Sequence, residues 1–292
     1  MIIKKIKSAL IKLYCRYAGG NPKISDREFV SRLFRISFGY KPDLDNPITF
    51  NEHIAAIKIS EKTYGLSTYA DKYAVRKYVA ETVGEQYLNP CIGVYNNADE
   101  IPFAKLPKAF AMKCTHASGY NIIVPDREKL NREEAVRQLN KWLNQNYYYV
   151  GRERNYKNIP PAVMIDSYID FKSILNEYKI FCFHGKAKFI DVNLFTDSDR
   201  KIAVYSRDWE YIPVTMGYKS CGDCIKKPDN LEQMISVAES LAAPFDFVRV
   251  DLYNNGGKIL FSELTFTPGG GLVKFSPALY DKEFGRLFEE KQ

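Results

Sequence analysis

An α+β fold in three parts is what the sequence predicts: a mainly helical unit over residues 1–100, a small sheet-bearing unit over 101–168, and an antiparallel sheet unit over 169–292. Three observations carry this. Apolar residues recur at helical spacing through the first 90 positions. Short apolar runs replace them after Pro102 and Pro107, and an Asn254-Asn255-Gly256-Gly257 turn joins two apolar strands near the end. The 292 residues, 46% hydrophobic and 14% aromatic, suffice for a substantial core and exclude a disordered chain.

In order along the chain, residues 2–17 set Ile3, Ile6, Leu10, Leu13 and Tyr17 on one helical stripe, with Lys4, Lys5, Lys12 and Arg16 on other faces. Such a helix docks on its own domain or, being basic and amphipathic, lies on an anionic membrane. Helical patterning continues over 26–90, with a helix at 71–80 and turns at 39–42, 45–47 and Asn89-Pro90. Residues 110–114 and 121–124 read as strands joined by a polar loop. Asn131 caps the next helix, with Glu134 in capping-box position and Val136, Leu139 and Leu143 on the apolar face. Pro160-Pro161 precedes a strand at 162–169. Residues 177–192 form two strands around His184-Gly185-Lys186, and 201–206 another. Asp229 and Glu232 open a helix that turns Leu231, Met234, Ile235, Ala238 and Leu241 inward. The hairpin strands 245–253 and 258–266 come last.

A formal charge of +7, spread along the chain, fits an anion binder as well as an ordinary enzyme. Without a zinc finger, basic heptads or an aromatic RNA-reading signature, nucleic acid is not an expected partner. Most of Cys15, Cys91, Cys114, Cys182, Cys221 and Cys224 lie in apolar runs, which points to buried thiols and a reducing compartment. The lone Cys221/Cys224 pair lacks two further zinc ligands and reads as surface thiols or a local disulfide. With no apolar run of about 18 residues, and lysines interrupting any leader-like stretch, a cytoplasmic protein is expected.

Asp251 and Glu263 are the strongest chemical pair, because a carboxylate inside an apolar strand is costly unless paired or metal-bound. A three-residue turn at 255–257 would put Arg249, Asp251, Phe261, Glu263 and Thr265 on one face, with Arg249 opposite Glu263. Two readings stay open: a magnesium site, or a sheet face on which Arg249 neutralises both acids. Lys113 ends an apolar run before a Ser118-Gly119 loop, where it could hold phosphate oxygens or simply flank a hairpin turn. His116 alone reads as a loop hydrogen bonder. The Gly269-Gly270-Gly271 run allows close amide approach to an anion, or serves as a connector.

The joint order of these features resembles ATP-grasp proteins, and more closely the TupA-like ATP-grasp family of surface-polysaccharide and teichuronopeptide clusters. Its characteristic stretches appear as Asn46-Pro47-Ile48-Thr49-Phe50-Asn51-Glu52, Asp71-Lys72-Tyr73, Lys113-Cys114-Thr115-His116-Ala117-Ser118-Gly119, Glu177-Tyr178-Lys179-Ile180-Phe181-Cys182-Phe183 and Arg249-Val250-Asp251-Leu252-Tyr253, over roughly 45–275. The resemblance implies an ATP-grasp fold whose 101–168 unit is a lid and whose 169–292 unit holds nucleotide and metal. Lys113 would contact the α- and β-phosphates, and His116, Ser118, Gly119 and Asn121 would form the phosphate lid. Asp166, Ser167, Tyr168 and Ile169 would be the adenine hinge, Glu177 would hold the ribose, and Lys179 would join the nucleotide site. Asp251, Glu263 and Thr265 would bind magnesium, with Arg249 stabilising an acyl phosphate. Asp166 stands where Glu is usual, Ala117 where Gly is usual, and Thr265 where most ATP-grasp enzymes carry Asn.

The implied reaction is ATP- and Mg2+-dependent ligation of a carboxylate to an amine. Its substrates would be a uronic acid, free or as a sugar nucleotide, and an amine or amino acid, with Tyr205, Arg207, Asp208 and Trp209 as substrate-side candidates. Peripheral contact with the inner membrane through the N-terminal helix would suit a polysaccharide role. The alternatives are a glycosyltransferase, which would use Asp197-Ser198-Asp199 as its Asp-x-Asp, and a non-catalytic nucleotide-binding assembly protein.

Overall fold

The structure, a computed structural model, describes residues 2–170, 176–195 and 200–290. Its N-terminal part is helical: α1 (Ile2–Ala18), α2 (Asp26–Phe38), α3 (Phe50–Ile59), the single turn α4 (Ser67–Ala70) and α5 (Val75–Thr82). Local chemistry sets the boundaries. The Ser25 side chain caps α2, which ends at left-handed Gly39. Thr49 and Glu52 close a full capping box on α3. The helix expected from 71 begins only at Val75, because the Asp71 carboxylate accepts from the Tyr73 and Ala74 amides and holds a turn there.

The docked face of α1 is not the expected one. Ile11, Tyr14, Cys15 and Ala18 pack on Phe29, Val30 and Leu33 of α2, whereas Leu13 and Tyr17 are 65% and 72% exposed, with Leu10 beside them. Close approach at the helix end explains the choice. A Cβ on Gly19 would lie 2.0 Å from the Tyr149 carbonyl, and Arg152 donates to the Ala18 and Asn21 carbonyls at 3.1 and 2.9 Å. The face with the small residues Cys15 and Ala18 fits that space. The Ile3, Ile6, Lys4 and Lys5 side chains lie outside the description, as does Asp197-Ser198-Asp199.

The first sheet has β1 (Cys91–Tyr95), β2 (Phe110–Cys114), β3 (Asn121–Val124) and β4 (Val163–Ser167), antiparallel in the order β1-β4-β2-β3. It starts at Cys91, ahead of the expected boundary at 101. Ala135 and Leu139 of α6 (Arg132–Leu143) cover it. Asn131 caps α6 by accepting from the Glu134 amide at 3.1 Å, but the Glu134 carboxylate turns to Arg137, so the capping box is one-sided. The turn α7 (Tyr148–Gly151) follows.

The second sheet begins with β5 (Asn176–Phe183), β6 (Lys186–Phe195), β7 (Arg200–Ser206) and the short β8 (Tyr211–Ile212), β9 (Thr215–Met216) and β10 (Lys219–Ser220). After α8 (Leu231–Ala242) come β11 (Phe247–Asn255), β12 (Lys258–Thr265), β13 (Phe275–Ser276) and α9 (Leu279–Arg286). The order is β10-β7-β6-β5-β11-β12, with β8 beside β7 and β9 paired to β13. Strand alternation divides the faces. Tyr178, Ile180, Cys182, Val248 and Val250 face α5 and α8, whose Met234, Ile235, Ala238 and Leu241 complete the largest core.

The opposite face is itself divided along the strands. At one end Phe181, Phe183, Phe189 and Phe247 pack on Phe50 of α3 and Phe284 of α9. At the other end the same strands carry Glu177, Lys179, Asp191, Arg249 and Asp251. The substrate-side candidates fall on the wrong side. Tyr205 is in the helix-covered core with Trp209 stacked on it at 4.3 Å, and Arg207 pairs with Asp208 and Glu232.

The hairpin register also differs from expectation. Asn255 pairs with Lys258, so the turn is two residues, Gly256-Gly257, both at positive φ as a primed turn requires. Left unbroken, that register would put Asp251 opposite Ser262 and send Glu263 to the other face. A bulge at this point restores the alignment: Asp251 lies opposite Glu263 and Arg249 opposite Thr265. Phe261 pairs with Leu252 and joins the helix-side core instead of the charged face. Cys221 and Cys224 form a local disulfide, and Cys114 and Cys182 are buried free thiols.

Candidate active site

Asp251 is fully buried at the centre of the charged end. Arg249 Nε and a terminal nitrogen meet its two oxygens at 2.6 and 2.7 Å, and Lys179 Nζ adds a bond of 2.8 Å. The same guanidinium reaches Glu263 Oε1 at 3.2 Å and Thr265 Oγ1 at 3.0 Å, while Thr265 donates to Glu263 at 3.0 Å. Lys179 is also 3.1 Å from Glu177. Burial pushes the Asp251 carboxyl up, but Arg249 and then Lys179 outweigh it and hold the group below its ordinary value. Burial likewise opposes charge on Arg249, and Asp251 keeps it protonated. Glu177 is raised by burial, against the pull of Lys179.

Asp191 is the exception. It sits opposite Lys179 on β6, is 6% exposed, and its Oδ1 is buried with no hydrogen-bond partner. Burial raises its carboxyl to about 6, against the lowering pull of Lys179, Arg249 and Arg200. No role attached to Asp191 in the sequence, although a carboxylate between Ile190 and Val192 is the same signal that singled out Asp251.

The first sheet supplies the facing wall. Lys113 Nζ donates to Asp166 Oδ2 at 2.8 Å, and Asp166 Oδ1 is buried without a partner. Lys72 takes its place in the wall by donating to the Ala117 carbonyl from its side chain, and at 3.2 Å to Thr115 from its backbone. Its ammonium is lowered by burial. This gives the Asp71-Lys72-Tyr73 stretch a physical purpose: it carries a lysine under the 115–119 loop. His116 turns away to bond the Trp142 carbonyl at 3.1 Å and lines neither chamber.

Two chambers meet over the Arg249–Glu263 pair. One, of about 330 Å³, is lined by Lys72, Lys113, Asp166, Glu177 and the Ser118-Gly119 loop, with Asn121 and Ile169 at its edge. The other, of about 490 Å³, is lined by Lys58, Glu153, Asp191, Arg249, Thr265 and the 269–271 glycine run. Ser118, Lys179, Arg200 and Glu263 border both. Ser167 and Tyr168 line neither chamber. The glycine run is needed for packing too: a Cβ on Gly271 would stand 3.0 Å from the backbone of α3, and Gly270 offers its carbonyl to Lys58. A larger cleft of about 600 Å³, near Phe38, Tyr40 and Lys282, is remote from these charges.

No group of three or more His, Cys, Asp or Glu among the described residues could hold a metal ion on its own. Magnesium asks for less, since one or two carboxylates plus nucleotide phosphates suffice. Glu263 meets that demand as placed, and Asp251 meets it once its oxygens are released by Arg249 and Lys179. Asp251 and Glu263 stand directly across the hairpin, and Glu263 uses Oε1 for its bonds to Arg249 and Thr265 while bordering both chambers.

The geometry defines a class first: an α+β protein with a charged, lysine-bearing cleft between two mainly antiparallel sheets. The family model described as TupA-like ATPgrasp matches residues 52–289, and the chain belongs to that family, with its ATP-grasp fold. Comparison with curated proteins finds no match. Among solved structures the chain is similar to D-alanine–D-alanine ligase from Bacillus anthracis complexed with ATP, at 17% identity and TM-score 0.44 over 70% of this chain and 57% of that one. The RimK domain ATP-grasp protein from Sphaerobacter thermophilus is 12% identical at TM-score 0.45, covering 78% and 68%. D-cycloserine synthetase is 15% identical at TM-score 0.40, covering 76% and 71%. The chain thus spans little more than half the length of the first of these.

Proposed function

We propose that the protein is an ADP-forming, ATP-dependent carboxylate–amine ligase. The observation that carries this is the meeting of two chambers over one Arg249–Asp251–Lys179–Glu263 cluster. That layout suits transfer of a phosphoryl group from a nucleotide on one side to an acid on the other. ATP takes the smaller chamber. Lys113 leaves Asp166 for the α- and β-phosphates, the Ser118 and Gly119 amides close over them, and Asn121 borders the loop. Asp166 and Ile169, which line that chamber, face the base, and Glu177 holds the ribose with Lys179 beside it. Glu263, and Asp251 once released by Arg249 and Lys179, would hold magnesium with the Thr265 hydroxyl next to them, and the metal would supply charge neutralisation between nucleotide and acid.

A carboxylate oxygen attacks the γ-phosphorus, the bond to the β-phosphate oxygen breaks, and ADP leaves. An amine then attacks the acyl carbon, the C–O bond to phosphate breaks, and an amide and inorganic phosphate result. Arg249 stabilises the oxyanion of that second step. The family's setting favours a uronic acid, free or nucleotide-linked, as the acid and an amino acid or amine as acceptor.

The test is ATP turnover with magnesium across a panel of uronic acids and their sugar nucleotides, with hydroxylamine present. ADP and a hydroxamate are expected for one acid. AMP with pyrophosphate would contradict the reading, and ADP without hydroxamate would indicate a kinase.

The outward stripe of α1 supports a second inference: rest on an anionic lipid surface at the inner face of the membrane. Leu10, Leu13 and Tyr17 are exposed, and no acidic residue occurs before Asp26, whereas Lys4, Lys5, Lys7, Lys12, Arg16 and Lys23 do. No described helix is long and apolar enough to cross a membrane.

A further inference from the structure

The larger chamber is built differently from the nucleotide side. Its roof is made partly by helices outside the family match, which begins at residue 52: Ile11 and Cys15 of α1, and Leu33 of α2. Helix α1 therefore has two working faces, an outward stripe and an inner edge that closes the chamber.

Most charges in this chamber are already engaged. Arg249 and Lys179 hold Asp251. Arg200 donates to Asn193 at 2.7 Å and Tyr218 at 3.0 Å. Glu153 accepts from Thr267 at 2.5 Å, and Glu263 serves Arg249 and Thr265. Asp191 and Lys58 are the deeply buried charges with the fewest partners. Asp191 has a buried oxygen with no donor. Lys58, 1% exposed, uses one donor on the Gly270 carbonyl at 3.1 Å and has two more. A buried carboxylate and a buried ammonium left incompletely bonded are expensive without a ligand to complete them.

We propose that this chamber is the acceptor site and that it takes an amino acid, the amine bonded to Asp191 and the carboxylate to Lys58. The proposal rests on the ligase reading and deepens it by naming the acceptor class and the residues that select it. A simple amine would leave Lys58 incomplete, and an N-acylated acid would leave Asp191 incomplete. The volume of about 490 Å³ admits an amino acid with a side chain of moderate size. Because α1 and α2 form part of the roof, they shape which side chain fits.

The experiment is a thermal-shift titration of the full chain with the common α-amino acids, their decarboxylated amines and their N-acetyl derivatives, each with and without MgADP. At least one free amino acid should raise Tm, and its decarboxylated and acetylated forms should not. Asp191→Asn and Lys58→Met keep shape and should weaken that amino acid by about tenfold or more, the loss of a charge-assisted hydrogen bond. Both variants should keep the MgADP shift, which also shows that they fold. An N-acetyl derivative that binds as well as the free amino acid overturns the proposal. So does unchanged affinity in Asp191→Asn, or no amino-acid shift in a protein that responds to MgADP. An amino-acid shift in a protein blind to MgADP would sink the nucleotide reading and leave the acceptor site standing.

Discussion

One face of one sheet holds two opposite solutions to burial. At its aromatic end Phe181 stacks on Phe189 at 4.3 Å, and Phe189 on Phe284 at 4.1 Å, a core sealed by α3 and α9. A few residues along the same strands, Lys179, Asp191, Arg249 and Asp251 are buried as charges. Burial of apolar rings contributes to stability directly, whereas a buried ion pair roughly breaks even with an apolar pair of the same shape. Stability therefore accounts for the aromatic end and not for the charged one, which is where a function must be sought.

The largest expected effects come from breaking each end. Phe181→Ala should cost about 3–5 kcal/mol through lost burial and a cavity. Arg249→Ala should cost a similar amount, about 3–5 kcal/mol, by stranding Asp251. Denaturant melts check both. The double variant Arg249→Met with Asp251→Leu separates the two ends. It should recover most of the stability while abolishing ATP turnover, an outcome with no counterpart at Phe181.

Asp191→Asn sharpens the contrast from the other direction. With its carboxyl raised to about 6, the folded state holds the proton more tightly than the unfolded chain between roughly pH 4 and 6. Stability thus falls as pH rises through that window, and ionised Asp191 is a liability above it. Asp191→Asn should raise stability at pH 7.5 by up to about 3 kcal/mol, and the gain should vanish below about pH 4. Lower stability at pH 7.5 would show that Asp191 supports the fold.

Much of this division was legible in the sequence. Short apolar runs bounded by turn residues marked β2, β3, β5 and β6, because strands that meet a core carry apolar side chains between polar turns. The hairpin register was not legible, since a bulge at Ser262 leaves no compositional mark yet decides whether Glu263 shares a face with Asp251. The docked face of α1 was hidden for a related reason: small residues and the approach of Tyr149 at Gly19 outweighed the larger apolar stripe. Lys58 and Asp191 are single charges in apolar runs, the same pattern that marks Lys113 and Asp251.

A smaller effect concerns the outer face of α1. Leu13→Ser with Tyr17→Ser should reduce sedimentation with anionic vesicles several-fold and change Tm little, because both side chains are exposed. Equal sedimentation of the intact protein with neutral vesicles would remove the electrostatic part of that reading.

If the charged end of the face and the lysine-bearing sheet opposite it form an ATP site, MgATP should bind between them. Calorimetric titration of MgATP into the wild-type chain and Lys113→Ala tests this most directly. Saturable binding is expected for the wild type, weakened about 10- to 100-fold in the variant by loss of one charge-assisted phosphate contact of about 1.5–3 kcal/mol. Unchanged affinity in a folded Lys113→Ala protein would contradict it and leave Lys113 as the structural partner of Asp166 alone.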